Sequence, residues 1–135
     1  MILVDTSVWI DFLIGRSSPF RRELHRLIEN GVEIGLTGIV YQEILQGIRS
    51  DIELRKTDNY LKEFKYVPLS EPETFRHAAA IFRACTKGGR RIRKPVDALI
   101  AAQAIEADSE LFHHDKDFDQ IAAVEPLKLY RLPPE

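Results

Sequence analysis

Short unbroken apolar runs alternate along this chain with longer stretches whose apolar positions recur three and four residues apart. Ile2, Leu3 and Val4 form the first run and predict a strand over 2–5. A short helix follows, and "GRSSP" ends it after about residue 14. Ser18 is placed to cap the next helix, where Phe20, Leu24, Leu27 and Ile28 share one face and Gly31 provides the stop. "EIGLTGIV" reads as a second strand running into a helix around 41–48, and "DIELRKTDNYLKEF" as a polar helix with a thin apolar stripe. "KYVPL" predicts a third strand, and "EPETFRHAAAIFRACTKG" a helix with Pro72 in its first turn. "KPVDALIAAQAIEA" is apolar nearly throughout, which predicts a buried helix. "ELFHH" reads as a strand, "DKDFDQIAA" as a helical segment and "LKLYRL" as a last strand.

Strands alternating with helices predict an α/β domain with a mostly parallel sheet. The strand runs are apolar without alternation, which suits strands covered on both faces. No repeat, low-complexity tract or long Gly/Ser/Pro stretch divides the chain, so residues 1–135 are expected to form one domain.

Composition narrows the class. Hydrophobic residues make up 44% and charged residues 30%, values typical of globular rather than disordered chains. The formal net charge of -2 means that any contact with nucleic acid depends on a local basic patch. The lone Cys85 excludes an internal disulfide and accords with a reducing, cytoplasmic setting. No basic leader opens the chain, and no apolar run has the length to span a membrane, so a soluble cytoplasmic protein is expected.

Against this frame the acids stand out by position. In open α/β sheets, ligands bind outside the carboxyl ends of the strands. Asp5 follows the first strand, and Asp115 and Asp117 follow "ELFHH". Crossover helices begin on the same edge, which brings Asp97 in a first turn and Glu43 about one turn into its helix. Each also has a plain structural explanation. Asp97 complements a helix dipole, Asp5 and Asp115 suit N-caps, Glu43 suits a solvated face, and Asp117 and Asp119 suit a helix surface. Their shared edge is what points to a common site.

Carboxylates a few ångströms apart cannot all ionise unaided, and a hard divalent cation resolves the conflict. All-oxygen ligation favours Mg²⁺ or Mn²⁺ over zinc. The chain lacks CxxC and HExxH motifs, and it has no glycine-rich nucleotide loop. An acid-rimmed Mg²⁺ site points to phosphoryl chemistry. The segment "KGGRRIRK" precedes the Asp97 helix, so Arg90, Arg91, Arg93 and Lys94 are candidate phosphate contacts, with Arg49, Arg55 and Lys56 as an extension. Trp9 and Tyr41 are assigned to the core or an interface rather than to base stacking.

"ILVDTSVWIDFL", the "EIL" containing Glu43, "DALIAA" from Asp97 and "HHDKDFDQI" from Asp115 resemble, in that order, the PIN-domain family and within it the VapC toxins. The resemblance covers essentially the whole chain. It implies a three-layer α/β/α sandwich with a five-stranded parallel sheet, and a Mg²⁺- or Mn²⁺-dependent endoribonuclease acting on RNA such as transfer or ribosomal RNA. It further implies a homodimer inhibited by a VapB-like antitoxin. By the resemblance, Asp5 and Asp97 are the principal metal ligands, Glu43 and Asp115 complete the quartet, Asp117 is a further acid, and Thr6 or Ser7 is a supporting hydroxyl. His113 stands where the family often has Thr or Ser. Two other functions fit the same edge of acids: a catalytically inactive PIN-fold binding module, and a receiver-like phosphoacceptor domain. The single acid at the end of the first strand disfavours the receiver, and the complete quartet disfavours the inactive module.

Overall fold

Four short strands build the sheet, and the first occupies an interior place in it. The computed structural model of the chain describes residues 1–134; Glu135, the last residue of the expected 1–135 domain, lies outside the described residues. Strand β1 (Ile2–Val4) pairs in parallel with β2 (Ile34–Thr37) on one side and β4 (Glu110–Phe112) on the other, and β3 (Lys65–Val67) pairs with β2. The order is β3-β2-β1-β4. Every residue of β1 and β2 is buried. Because successive side chains point to opposite faces, both faces must be covered.

The cover is seven helices among the described residues: α1 (Thr6–Leu13), α2 (Pro19–Glu29), α3 (Gly38–Gln46), α4 (Asp51–Leu61), α5 (Glu73–Lys87), α6 (Pro95–Glu106) and α7 (Lys116–Ala122). They sort into two packed groups. In one, α1 meets α2 and α3, and α3 meets α4; in the other, α5, α6 and α7 pack on one another. The near-apolar α6 is buried without a break from Asp97 to Ala104, as its composition predicts.

The expected fifth strand does not form, and the sheet has four parallel strands, not five. The "LKLYRL" segment meets β4 only at an isolated parallel bridge between Leu111 and Leu129. Leu111 N–H donates to Lys128 O, and Tyr130 N–H to Leu111 O. The Tyr130 hydroxyl is tied instead to Glu23 on α2, and Pro133 and Pro134 carry no N–H to extend a ladder.

Three boundaries also differ from expectation. Helix α3 starts at Gly38 rather than near 41, because the Thr37 hydroxyl takes the Val40 N–H as an N-cap. Pro72 is the cap residue of α5 rather than a first-turn residue. Strand β4 ends at Phe112, leaving His113 and His114 beyond it.

Close packing around β2 has a measurable consequence. A Cβ at Gly35 would lie 2.5 Å from Leu3 Cδ2 and 2.9 Å from Met1 Sδ. Gly35→Ala is therefore expected to cost about 1–3 kcal/mol by overpacking. Urea unfolding measures it, and an unchanged midpoint would mean that Leu3 and Met1 yield freely.

Candidate active site

The strand order itself creates a crevice. From β1 the chain adds β2 and β3 on one side, then crosses back to place β4 on the other. The carboxyl ends of β1 and β4 therefore flank a topological switch point, where open α/β sheets bind ligands.

Asp5 and Asp115 stand at those two ends, and each also caps the helix after it. The Asp5 N–H donates to Phe112 O at the end of β4 (2.9 Å). Asp5 Oδ2 accepts from Ser7 N at 3.1 Å and from Ser7 Oγ at 2.6 Å. Ser7 Oγ in turn accepts the His114 N–H at 2.9 Å, so one hydroxyl ties the end of β1 to the segment after β4. Ser7→Ala removes both contacts and leaves the His114 N–H without that acceptor. A loss of about 1–2 kcal/mol is expected in urea unfolding, and a change within error would deny Ser7 this role.

Asp115 Oδ1 accepts the Asp117 N–H at 3.0 Å as the N-cap of α7. Capping and membership of a charged site thus coexist in both residues. Asp97 enters from the first turn of α6, with Pro95 starting the helix. Asp97 is 2% exposed and Asp117 3%, while Asp5 is 4% exposed. Asp97, Asp115 and Asp117 each bring an oxygen into a set that lies within 4.8 Å. These acids sit at the N-terminal turns of α6 and α7, where the helix dipoles favour negative charge.

Electrostatics separates Asp97 from Asp115. Burial pushes the Asp97 carboxyl up to about 8; Lys94 opposes this, and the charges of Asp115, Asp5 and Asp117 reinforce it. Asp97 Oδ2 is buried without a hydrogen-bond partner. Burial also acts to raise Asp115, but the Asp117 N–H, Lys94 and Arg93 outweigh it and hold that carboxyl below its ordinary range. One acid is thus held ionised, and another is held short of ionising.

Glu43 stands one step away. It is half-buried on α3, and the Thr6 hydroxyl donates to its Oε1 at 2.8 Å, which links it to the residue beside Asp5. It lies outside the tight three-acid set, and Asp117, expected only as a further acid, lies within it.

The basic run divides. Arg93 donates from its backbone N (2.9 Å) and Nε (3.1 Å) to Asp117, and from Nη2 to Asp115 (3.1 Å). Lys94 Nζ lies 2.9 Å from Asp115 Oδ2. Arg90 reaches Gln120 on α7, and Arg91 is exposed. Arg49, Arg55 and Lys56 are surface residues. Trp9 is fully buried, as a core assignment requires.

One contact escaped the sequence. His113 Nδ1 accepts the Asp115 N–H at 3.0 Å, and burial holds the imidazole below its ordinary range. The neutral ring therefore helps to set the turn that presents Asp115. Its departure from the usual Thr or Ser is the only signal that singles it out.

Taken together, the site is an oxygen-only nest of carboxylates at a sheet edge, with cations on its rim. A PIN domain model matches residues 2–124. The chain belongs to the PIN-domain family. Within the family its likeness is to the VapC ribonucleases. Ribonuclease VapC11 of Mycobacterium tuberculosis is 33% identical over 129 residues, covering 95% of this chain and 96% of that protein. Ribonuclease VapC51 of the same organism is 35% identical over 124 residues, covering 90% and 85%. In fold, this PIN domain is similar to a chain of the Rickettsia felis VapBC2 structure bound to a DNA fragment from their promoter. That match has a TM-score of 0.75 at 19% identity and covers 96% of this chain and 98% of the other. A chain of a toxin–antitoxin complex from Klebsiella pneumoniae matches with a TM-score of 0.72 at 23% identity, covering 96% and 100%.

Proposed function

We propose that this PIN domain is a divalent-metal-dependent endoribonuclease, the toxin of a VapBC-like pair. Asp5, Glu43, Asp97 and Asp115 are its working acids, and Asp117 is a fifth. The observation that carries this reading is the buried Asp97 Oδ2, which no hydrogen bond satisfies, beside Asp115 and Asp117. A buried carboxylate oxygen without a donor is costly, and a hard cation is the partner that oxygen-only surroundings suit.

Asp97, Asp115 and Asp117 would hold Mg²⁺ or Mn²⁺, with Asp5 adjacent. When bound, such a cation supplies positive charge to a phosphate oxygen and makes water a better nucleophile at neutral pH. The chain's own groups do the rest. Ser7 fixes the Asp5 carboxylate by two contacts on Oδ2. Thr6 orients Glu43, whose carboxylate accepts a proton from the attacking water. Arg90 and Arg91 supply the positive rim for RNA phosphates beside the scissile bond, while Arg93 and Lys94 pair with the site acids Asp115 and Asp117.

The partner in this reading is a VapB-like antitoxin, in keeping with the toxin–antitoxin complex that supplied the Klebsiella pneumoniae chain of like fold. The acting form is a homodimer in the cytoplasm. The test is direct: purified protein cleaves RNA with added Mg²⁺ or Mn²⁺, and EDTA stops it. Expression arrests bacterial growth unless the cognate small protein is co-expressed. Absence of cleavage with either metal, across total cellular RNA, would overturn the reading.

A further inference from the structure

Lys94 lies at the point where the basic rim and the acids meet. It precedes Pro95, which disfavours helical backbone for the residue before it, and Lys94 is extended at φ -122° and ψ 117°. As N-cap of α6 it makes no side-chain cap bond. Its side chain runs to the acids instead. Nζ lies 2.9 Å from Asp115 Oδ2 and 3.9 Å from Asp97 Oδ2. The latter is the buried oxygen that no hydrogen bond satisfies. The ammonium therefore bridges two of the three carboxylates that come within 4.8 Å of one another.

Its neighbour behaves differently. Arg93 is anchored by backbone and side chain together, with two donors on Asp117 and one on Asp115. Lys94 offers a single point charge on a flexible stem, and its side chain is half-exposed at 50%. Side-chain rotation takes Lys94 off the acids completely, whereas the Arg93 backbone N–H stays on Asp117 unless the loop moves.

We propose that Lys94 is a built-in counter-cation of the acid cluster: its ammonium and a divalent cation contend for the same Asp115 and Asp97 oxygens, and entry of the cation turns the ammonium out. A lysine ammonium keeps its charge at neutral pH whether it sits on the acids or in solvent, so it stays charged while it competes. The inference rests on the metal-dependent reading of the site and concerns how tightly that site takes its metal.

Calorimetric titration of the full chain with Mn²⁺ alone, without RNA, tests it. Lys94→Met is expected to bind Mn²⁺ about tenfold more tightly than the wild type, the size of effect that one neighbouring charge has on a carboxylate. Lys94→Arg keeps a competing charge and restores weak binding. Lys62→Met removes the same charge from the C-cap of α4 and leaves the affinity unchanged. A second measurement needs no variant. Acetylation of the wild type, read by peptide mass spectrometry, is expected to rise at Lys94 on saturation with Mn²⁺ and to stay constant at Lys62. Equal or weaker Mn²⁺ binding by Lys94→Met, or unchanged Lys94 labelling, overturns the competition and leaves the metal site standing. If neither protein binds Mn²⁺, the metal-dependent reading falls and the competition falls with it.

Discussion

Asp97→Asn is expected to lower RNA cleavage by on the order of 10³-fold and to make the metal-stripped protein more stable at alkaline pH. The two effects have one cause. Asp97 lies in the first turn of a helix buried through Ala104, with a carboxyl pushed up to about 8 by burial, against an opposing pull from Lys94, and by Asp115, Asp5 and Asp117. An unfolded aspartate releases its proton near 3.8. Between those values the folded state holds a proton that the unfolded state has lost, so stability declines as pH rises through the window. The expected slope in EDTA is on the order of 1 kcal/mol per pH unit.

Asn has the shape of the protonated carboxyl and no proton to lose, so the variant escapes that decline. It also cannot supply the anionic oxygen that a cation needs. Paired assays on one preparation separate the possibilities: RNA cleavage with Mn²⁺, and urea unfolding in EDTA across the window. Wild-type cleavage by the variant would remove Asp97 from the chemistry. A flat stability profile for the wild type would mean that Asp97 is already ionised without metal.

The second large effect lies in the core. Trp9→Ala is expected to cost about 3–5 kcal/mol, a large share of the roughly 5–15 kcal/mol that holds a typical domain folded. Trp9 is fully buried on α1 and meets Phe12 edge-on at 5.8 Å and Phe64 at 5.1 Å. Phe64 in turn meets Tyr60 at 5.2 Å, so Trp9 joins α1 to the end of α4 and the entry to β3. Its indole N–H has no hydrogen-bond partner, and its contribution is therefore apolar packing alone. Trp9→Phe keeps part of that packing and removes the orphaned donor, so a smaller loss of about 1–2 kcal/mol is expected. Far-UV circular dichroism in urea follows both variants, and the emission of the chain's one tryptophan follows the wild type. A Trp9→Ala midpoint equal to that of the wild type would show that the Phe12–Phe64 contacts hold without it.

Local information carried much of the architecture. The apolar run at 2–4, a strand within "ELFHH", the Ser18 cap and the burial of α6 are all legible in one segment at a time, because periodicity and capping act within a turn or a strand. For the same reason the sequence located Asp5 and Asp115 at strand ends and Asp97 in a first turn. The expected fifth strand failed because the Tyr130 hydroxyl is tied to Glu23 on α2, a contact that does not lie in the segment itself, and only one bridge to β4 forms.

The site divides in the same way. The chain alone determined which acids reach the carboxyl edge and that an oxygen-only set was available there. Only the tertiary structure decided which of them meet. The reversal of strand order places β4 beside β1, and with it Asp115 and Asp117 beside Asp97. Glu43 reaches the site through Thr6, 37 residues away, and Lys94 and Arg93, expected as phosphate contacts, turn onto Asp115 and Asp117 instead. Contacts of that kind depend on how crossovers return the chain to the sheet and on which charges burial leaves uncompensated. Local pattern does not carry that information, because the balance of desolvation and pairing is settled only once the elements have packed.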